Sequence, residues 1–239
     1  MKVLLSGNEA VARGAYESGV VFASAYPGTP STEILENIVQ YDDIYAEWAP
    51  NEKVALDGAI GAAYAGKRAL AAMKMVGLNV AAEALFYSSY TGFDGALVIV
   101  NADDPGMHSS QNEQDNRHYA RFAKVPMLEP TDSQEAKDFV GLALEVSEKF
   151  DTPVLLRLTT RISHSSSLVE LSERKAAPEE RKPFARSPMK YSMIPGFAKR
   201  RHPVMEQRLK DLAEYAETFP YNKIEWGDRS LGVVANSVA

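Results

Sequence analysis

The chain has 239 residues, 45% of them hydrophobic, and a formal charge of −6, so it can bury a sizeable core in one large domain or two small ones. The acidic balance gives no reason to bind nucleic acid or an anionic membrane, no stretch approaches the ~18 apolar residues of a membrane span, and Val3-Leu4-Leu5 is too short a core for a signal peptide. There is no cysteine, which excludes disulfides and a cysteine-ligated iron–sulfur cluster within these residues.

The predicted elements alternate. Asn8 is placed to cap a helix over residues 8–19, with Ala10, Val11, Ala15 and Tyr16 at helical spacing. The apolar run from Gly19 to Ala25 reads as a buried, parallel-type strand that stops at Pro27-Gly28. A helix from Pro30 to Gln40 follows, with Ile34, Leu35, Ile38 and Val39 as its apolar face. Tyr45 to Ala49 is a short strand, and it feeds a helix that opens at Asn51-Glu52 and is almost all alanine and glycine as far as Ala65. Residues that small let a helix pack closely on a neighbour. Ala69 to Met75 is the next strand, Gly77-Leu78-Asn79 its turn, and Val80 to Ser88 a helix with Phe86, Tyr87 and Tyr90 as packing residues. Gly95 to Asn101 is the clearest strand of the chain. Met127-Leu128-Glu129 and Pro153 to Thr159 supply two more. Between them runs an amphipathic helix from Ser133, its cap, to Phe150, with Ala136, Phe139, Val140, Ala143, Leu144 and Ser147 on one face. Strands and helices at this spacing predict a doubly wound, mainly parallel α/β sheet.

Beyond Thr160 the character changes. Ser163-His164-Ser165-Ser166-Ser167 and a run of Glu, Arg, Lys and Pro to about Pro188 read as an exposed arm. The basic cluster Lys199-Arg200-Arg201-His202 is a solvated face or a docking surface. It leads into a helix from Val204 to Thr218, with Leu209, Leu212 and Tyr215/Ala216 on one side. Leu231 to Ala239 looks like the first strand of a further α/β unit, which suggests a truncated chain or a split gene. The expected organisation is therefore an α/β domain over 1–162, a linker arm with one helix over 163–229, and the start of a following domain at 230–239.

Ligands of such sheets bind beyond the carboxyl ends of the strands. Four unusual segments fall there: Pro27-Gly28-Thr29, Met75 to Asn79, Asn101 to Gly106, and the polar stretch Met107 to His118, which holds two of the four histidines. The first is either an ordinary βα turn or a set of backbone N–H groups aimed at a ligand. Glu52 at a helix start is either a dipole device or a functional acid. The stretch 107–118 is either disordered or an ordered, substrate-facing loop anchored by Tyr119, Phe122, Val125 and Met127. His108 with Asp103 and Asp104 has metal-compatible chemistry but no distinctive ligand spacing, so no metal residue is assigned.

The segment Tyr26-Pro27-Gly28-Thr29-Pro30-Ser31-Thr32, followed by Glu52 in an Ala/Gly-rich helix, resembles the pyrimidine-binding domain of thiamine-diphosphate-dependent 2-oxoacid:ferredoxin oxidoreductases. Within that family it is most similar to the indolepyruvate enzymes. Ser6 to Ala10, Met73 to Asn79, Asp103 to Gly106, Ser109 to Asp115 and the linker Pro195 to Pro203 extend the resemblance over the chain. It implies that Glu52 is catalytic, sharing a proton with the aminopyrimidine N1′ so that the imino form can deprotonate the thiazolium C2. Pro27, Gly28, Thr29, Gly77 and Asn79 would bind thiamine diphosphate with Glu52, and Thr29, His108 and Arg117 the substrate, with Arg121 close enough to leave the choice of arginine open. A partner domain would supply the diphosphate site and magnesium, because the acidic Gly-Asp-Gly segment of that site is missing. Iron–sulfur clusters are expected only in a partner chain or missing segment. The complete enzyme would be a cytoplasmic homo- or hetero-oligomer using ferredoxin and coenzyme A, and this chain alone would be inert. The alternatives are the same domain acting on pyruvate or branched-chain 2-oxoacids, and a non-catalytic interaction module in which Glu52 only caps a dipole.

Overall fold

The computed structural model describes residues 1–175, 184 and 186–237. Chain order gives β1 (Lys2–Ser6), α1 (Gly7–Glu17), β2 (Phe22–Ala25), α2 (Thr32–Ile38), β3 (Tyr45–Trp48), α3 (Glu52–Tyr64), β4 (Arg68–Lys74), α4 (Met75–Thr91) and β5 (Ala96–Asp103). There follow α5 (Arg117–Ala123), β6 (Met127–Leu128), α6 (Ser133–Phe150), β7 (Val154–Thr159), α7 (Thr160–His164), β8 (Ser166–Glu170), α8 (Pro188–Tyr191) and α9 (Pro195–Glu217).

Six strands form one sheet in the order β3-β2-β4-β5-β7-β6, every pair parallel. The central strand β5 is buried along its whole length, which is why its sequence reads as a continuous apolar run. Its side chains alternate between two cores. Val98, Val100 and Ala102 face α1, α2 and α6, whereas Leu97 and Ile99 face α3, α4 and α5. The doubly wound parallel sheet expected from the pattern is the one observed. The predicted apolar face of α6 is buried at each of its six positions, although the cap is Asp132, whose side chain accepts from the Glu135 N–H at 2.9 Å, and not Ser133.

Other boundaries moved for identifiable reasons. Asn8 is not a cap. Ser6 is, through a capping box in which its hydroxyl accepts from the Glu9 N–H at 3.3 Å and Glu9 accepts from the Ser6 N–H at 2.7 Å. Gly77-Leu78-Asn79 is no turn, because β4 passes directly into α4 and these residues form its first helical turn. The arm expected from Ser163 begins as structure. α7 and β8 fold back, and β8 pairs antiparallel with β1 in a separate two-stranded sheet that sequence reading missed. Residues 176–183 and 185 of the expected arm lie outside the described residues. The helix expected at Val204 starts at Pro195, a residue suited to a first turn, and takes in Pro203. The basic cluster is half structural, since Arg201 donates to Tyr90 O at 2.8 Å and Thr91 O at 3.2 Å. No strand forms over residues 231–237, where Leu231, Val233 and Val234 are 78%, 80% and 100% exposed. A strand needs a pairing neighbour, and residues 231–237 pair with none of the described strands. Among the described residues, no helix is long and apolar enough to cross a membrane.

Candidate functional site

The carboxyl ends of β2 and β3 lie level, since Ala25 pairs with Trp48, and β4 runs two residues beyond Ala72, the partner of Ala25, to Lys74. The Pro-Gly-Thr-Pro bend leaves β2 there and Glu52 follows β3. The bend is held from within. Gly28 N–H donates to Thr32 Oγ1 at 2.9 Å, and the Ser31 hydroxyl and N–H both donate to Gly28 O at 2.9 Å. Thr29-Pro30 is a cis peptide. From beneath, the buried Asn8 amide donates to Pro30 O at 2.8 Å and to Glu33 at 2.9 Å. From above, the Ser109 hydroxyl donates to Thr29 O at 3.4 Å. Tyr26, Pro27 and Thr29 stay exposed. Glycine at 28 is explained by close approach, since a Cβ there would sit 2.8 Å from Lys74 Cδ.

Glu52 opens α3, behind Asn51, whose side chain caps the helix by accepting from the Val54 N–H at 3.0 Å. The residue is 8% exposed. Its side chain packs on Gly77 so closely that a Cβ at 77 would meet Glu52 Oε1 at 2.5 Å and Cγ at 2.6 Å. Among the described residues the Glu52 carboxylate has no hydrogen-bond or ion-pair partner. The residue is largely buried, yet its carboxylate oxygens are not enclosed, which leaves them open to an incoming hydrogen-bonding group. The alanines Ala55, Ala59 and Ala63 turn inward, whereas Gly61 faces open space.

The third segment is ordered. Asp104, fully buried, accepts from the Thr160 hydroxyl at 2.7 Å and the Ser109 N–H at 2.9 Å. Burial works against its charge, but these bonds prevail and hold the carboxyl down to about 2. Asp103 accepts from Arg157 Nε at 2.7 Å and the Asn116 N–H at 3.1 Å; burial nonetheless pushes its pKa up. The Asn116 amide reaches Met75 O at 2.9 Å and Asn101 Oδ1 at 2.7 Å, tying the loop to the start of α4. Neither this polar network nor the role of Asn8 was anticipated; the available signal was asparagine inside or beside an otherwise apolar run.

The expected site residues separate into two groups. Gly28 and Gly77 are linked through residues 74–77, Gly28 by its contact with Lys74 and Gly77 by its contact with Glu52. Asn79 is exposed and accepts from the Tyr119 hydroxyl at 2.6 Å. His108 is exposed and lines a surface cleft with Pro105, Thr159, Thr160 and Arg161, at the carboxyl ends of β5 and β7. Arg117 is held by Asp115, with Nε at 2.8 Å from Oδ1 and Nη2 at 2.7 Å from Oδ2; that pairing also draws the Asp115 carboxyl down to about 2. Phe122, expected to anchor the loop, is 75% exposed. Tyr87 and Tyr90 belong to the other end of α4, bonded to Tyr191 O and His202 Nδ1 at 2.7 and 2.8 Å.

Residues 13–223 match the family model described as "Pyruvate flavodoxin/ferredoxin oxidoreductase, thiamine diP-bdg". The chain is 45% identical to the indolepyruvate oxidoreductase subunit IorA of Archaeoglobus fulgidus over 98% of its own length and 39% of the relative. It is 46% identical to that of Methanothermobacter thermautotrophicus over 100% and 39%. The 2-oxoglutarate synthase subunit KorA of the latter organism is 28% identical over 76% of this chain. The chain thus spans well under half the length of the IorA relatives. In structure it is similar, with TM-score 0.72 and 18% identity over 95% of this chain and 47% of the other, to a 2-oxoglutarate:ferredoxin oxidoreductase from Magnetococcus marinus solved with 2-oxoglutarate, coenzyme A and succinyl-CoA.

Proposed function

Because the chain belongs to the thiamine-diphosphate-binding family of pyruvate flavodoxin/ferredoxin oxidoreductases, we propose that it is the pyrimidine-binding part of an oxidoreductase that decarboxylates indolepyruvate or a similar aryl 2-oxoacid. One observation carries the reading. A largely buried glutamate, whose carboxylate has no partner among the described residues and stays open to an incoming group, packs on a glycine at the start of a helix, at the carboxyl edge of the sheet. That donor set suits a heterocyclic ring nitrogen, which can share a proton with Glu52. A dipole cap alone would need no burial against Gly77, which disfavours the non-catalytic module. The relatives of about 45% identity are indolepyruvate enzymes, which favours aryl substrates over pyruvate.

When bound, thiamine diphosphate would supply the carbanion-stabilising electron sink for loss of carbon dioxide. Glu52 would hold the proton at the pyrimidine ring, and Gly77 would let the carboxylate lie flat against α4. Pro27, Gly28 and Thr29 would border the ring, Asn79 would support it from α4, and Thr29 and His108 would face the substrate. Arg117 would contribute only if it left Asp115. The diphosphate and magnesium would be held by a partner domain or subunit, which would also provide the route to ferredoxin and coenzyme A; the chain alone should bind the cofactor more weakly than micromolar by calorimetry. The decisive experiment is Glu52→Gln in the assembled oxidoreductase, which keeps the side chain's shape. Turnover should fall at least about 10²-fold with folding unchanged. Undiminished turnover would refute the proposal.

A further inference from the structure

The carboxylate of a 2-oxoacid binds most strongly to a cation whose charge is not already neutralised, because charge-assisted hydrogen bonds exceed neutral ones. Arg117 is chelated by Asp115. Lys74 is free of such a partner. As the last residue of β4 it stands between the bend and the start of α4, and its stem lies against Gly28, where a Cβ would meet Cδ at 2.8 Å and Cγ at 2.9 Å. Its ammonium donates to Ser109 O at 3.2 Å, and Ser109 in turn bonds Thr29 O at 3.4 Å. No carboxylate among the described residues lies within ion-pair distance of Nζ. Only one of its three N–H donors is therefore used.

Two further features add to this. Lys74 is the N-cap residue of the 17-residue helix α4, and no side chain caps that end. The positive end of the helix and the ammonium thus act in the same place. Asp104, on the loop that carries Ser109, has its oxygens occupied by Thr160 and Ser109 and makes no ion pair with the lysine.

We propose that Lys74 recognises the carboxylate of the 2-oxoacid, with Ser109 and the Gly28 contact fixing its position. The assignment rests on the reading of the site given above. Along residues 74–77 the chain would then present a cation toward the bend and, at Gly77, room for the proton-holding Glu52. A lysine closing the apolar run Ala69-Leu70-Ala71-Ala72-Met73 is the sequence trace of this arrangement.

The test compares phenylacetate with phenylacetamide, which differ in the charged group alone, by calorimetry on the assembled enzyme without turnover. The unsubstituted enzyme should prefer the acid. Lys74→Met, which keeps the stem, should erase that preference and raise the KM for the 2-oxoacid tenfold or more, while Lys74→Arg should retain the preference. If Lys74→Met does not fold, Lys74→Gln serves the same purpose. A preference that survives loss of the ammonium, a preference lost instead in Arg117→Ala, or equal binding of acid and amide to the unsubstituted enzyme would each overturn the proposal. Because this comparison needs no turnover, it decides Lys74 separately from the Glu52→Gln experiment.

Discussion

Replacing Gly77 with alanine separates a structural glycine from one that serves Glu52. The new methyl would lie 2.5 Å from Glu52 Oε1, 2.6 Å from Cγ and 2.9 Å from Cδ, distances no real contact tolerates. All three atoms belong to one side chain, so Glu52 can turn aside while the backbone of α4 stays in place. Such a forced rotation costs about 0.5–1.5 kcal/mol. Alanine for glycine inside a helix returns roughly 0.8–1 kcal/mol. The terms nearly cancel, and the melting temperature should move by no more than about 2–4 °C. Turnover should respond quite differently, because a reacting group displaced by about 1 Å can lose ~10²-fold in rate. Melting and turnover of the assembled enzyme, measured together, give the answer. Both Gly77→Ala and Glu52→Gln act through one carboxylate, so the double variant should be no slower than Glu52→Gln alone. Full turnover in Gly77→Ala, or a collapse in stability of more than about 4 kcal/mol, would show that the contact does not work as described.

Two further expectations concern stability. Lys137, buried, bonds Glu17 at 2.9 Å and Asp138 at 2.7 Å, joining α6 to α1. Lys137→Met removes the contact to Glu17 Oε2 but leaves Oε1 with Arg13 and the Ser172 N–H, both at 2.7 Å, so it should cost about 1–3 kcal/mol in denaturant unfolding, and an unchanged stability would show that the contact contributes nothing. Asp104 is held well below its ordinary value of 3.8, so its contribution is complete above that range and is lost as pH falls through about 2. Asp104→Asn should flatten the acid limb of the stability profile between those values, and an unchanged limb would mean that the Ser109 and Thr160 bonds do not favour the charged form.

Much of the scaffold was legible in the chain. The apolar run of β5 and the six-position face of α6 are patterns that only burial satisfies, and both appear as read. Misread segments share a cause: their state depends on a distant partner. β8 is polar and short, and becomes a strand because β1 lies beside it. Leu231 to Val234 is apolar and β-branched, yet stays irregular without a neighbour. The start of α4 looked like a turn because glycine and asparagine favour turns locally, whereas Gly77 is there to admit Glu52.

The sequence by itself determined the alternation of strands and helices, the acid at the start of α3 and the proline–glycine bend after β2, since periodicity and turn chemistry are local properties. Tertiary structure alone decided that Asn8 and Ser109 both hold the bend, and that Glu52 packs on Gly77 with its carboxylate left without a partner among the described residues. Those facts follow from contacts between residues tens of positions apart, which no local pattern encodes.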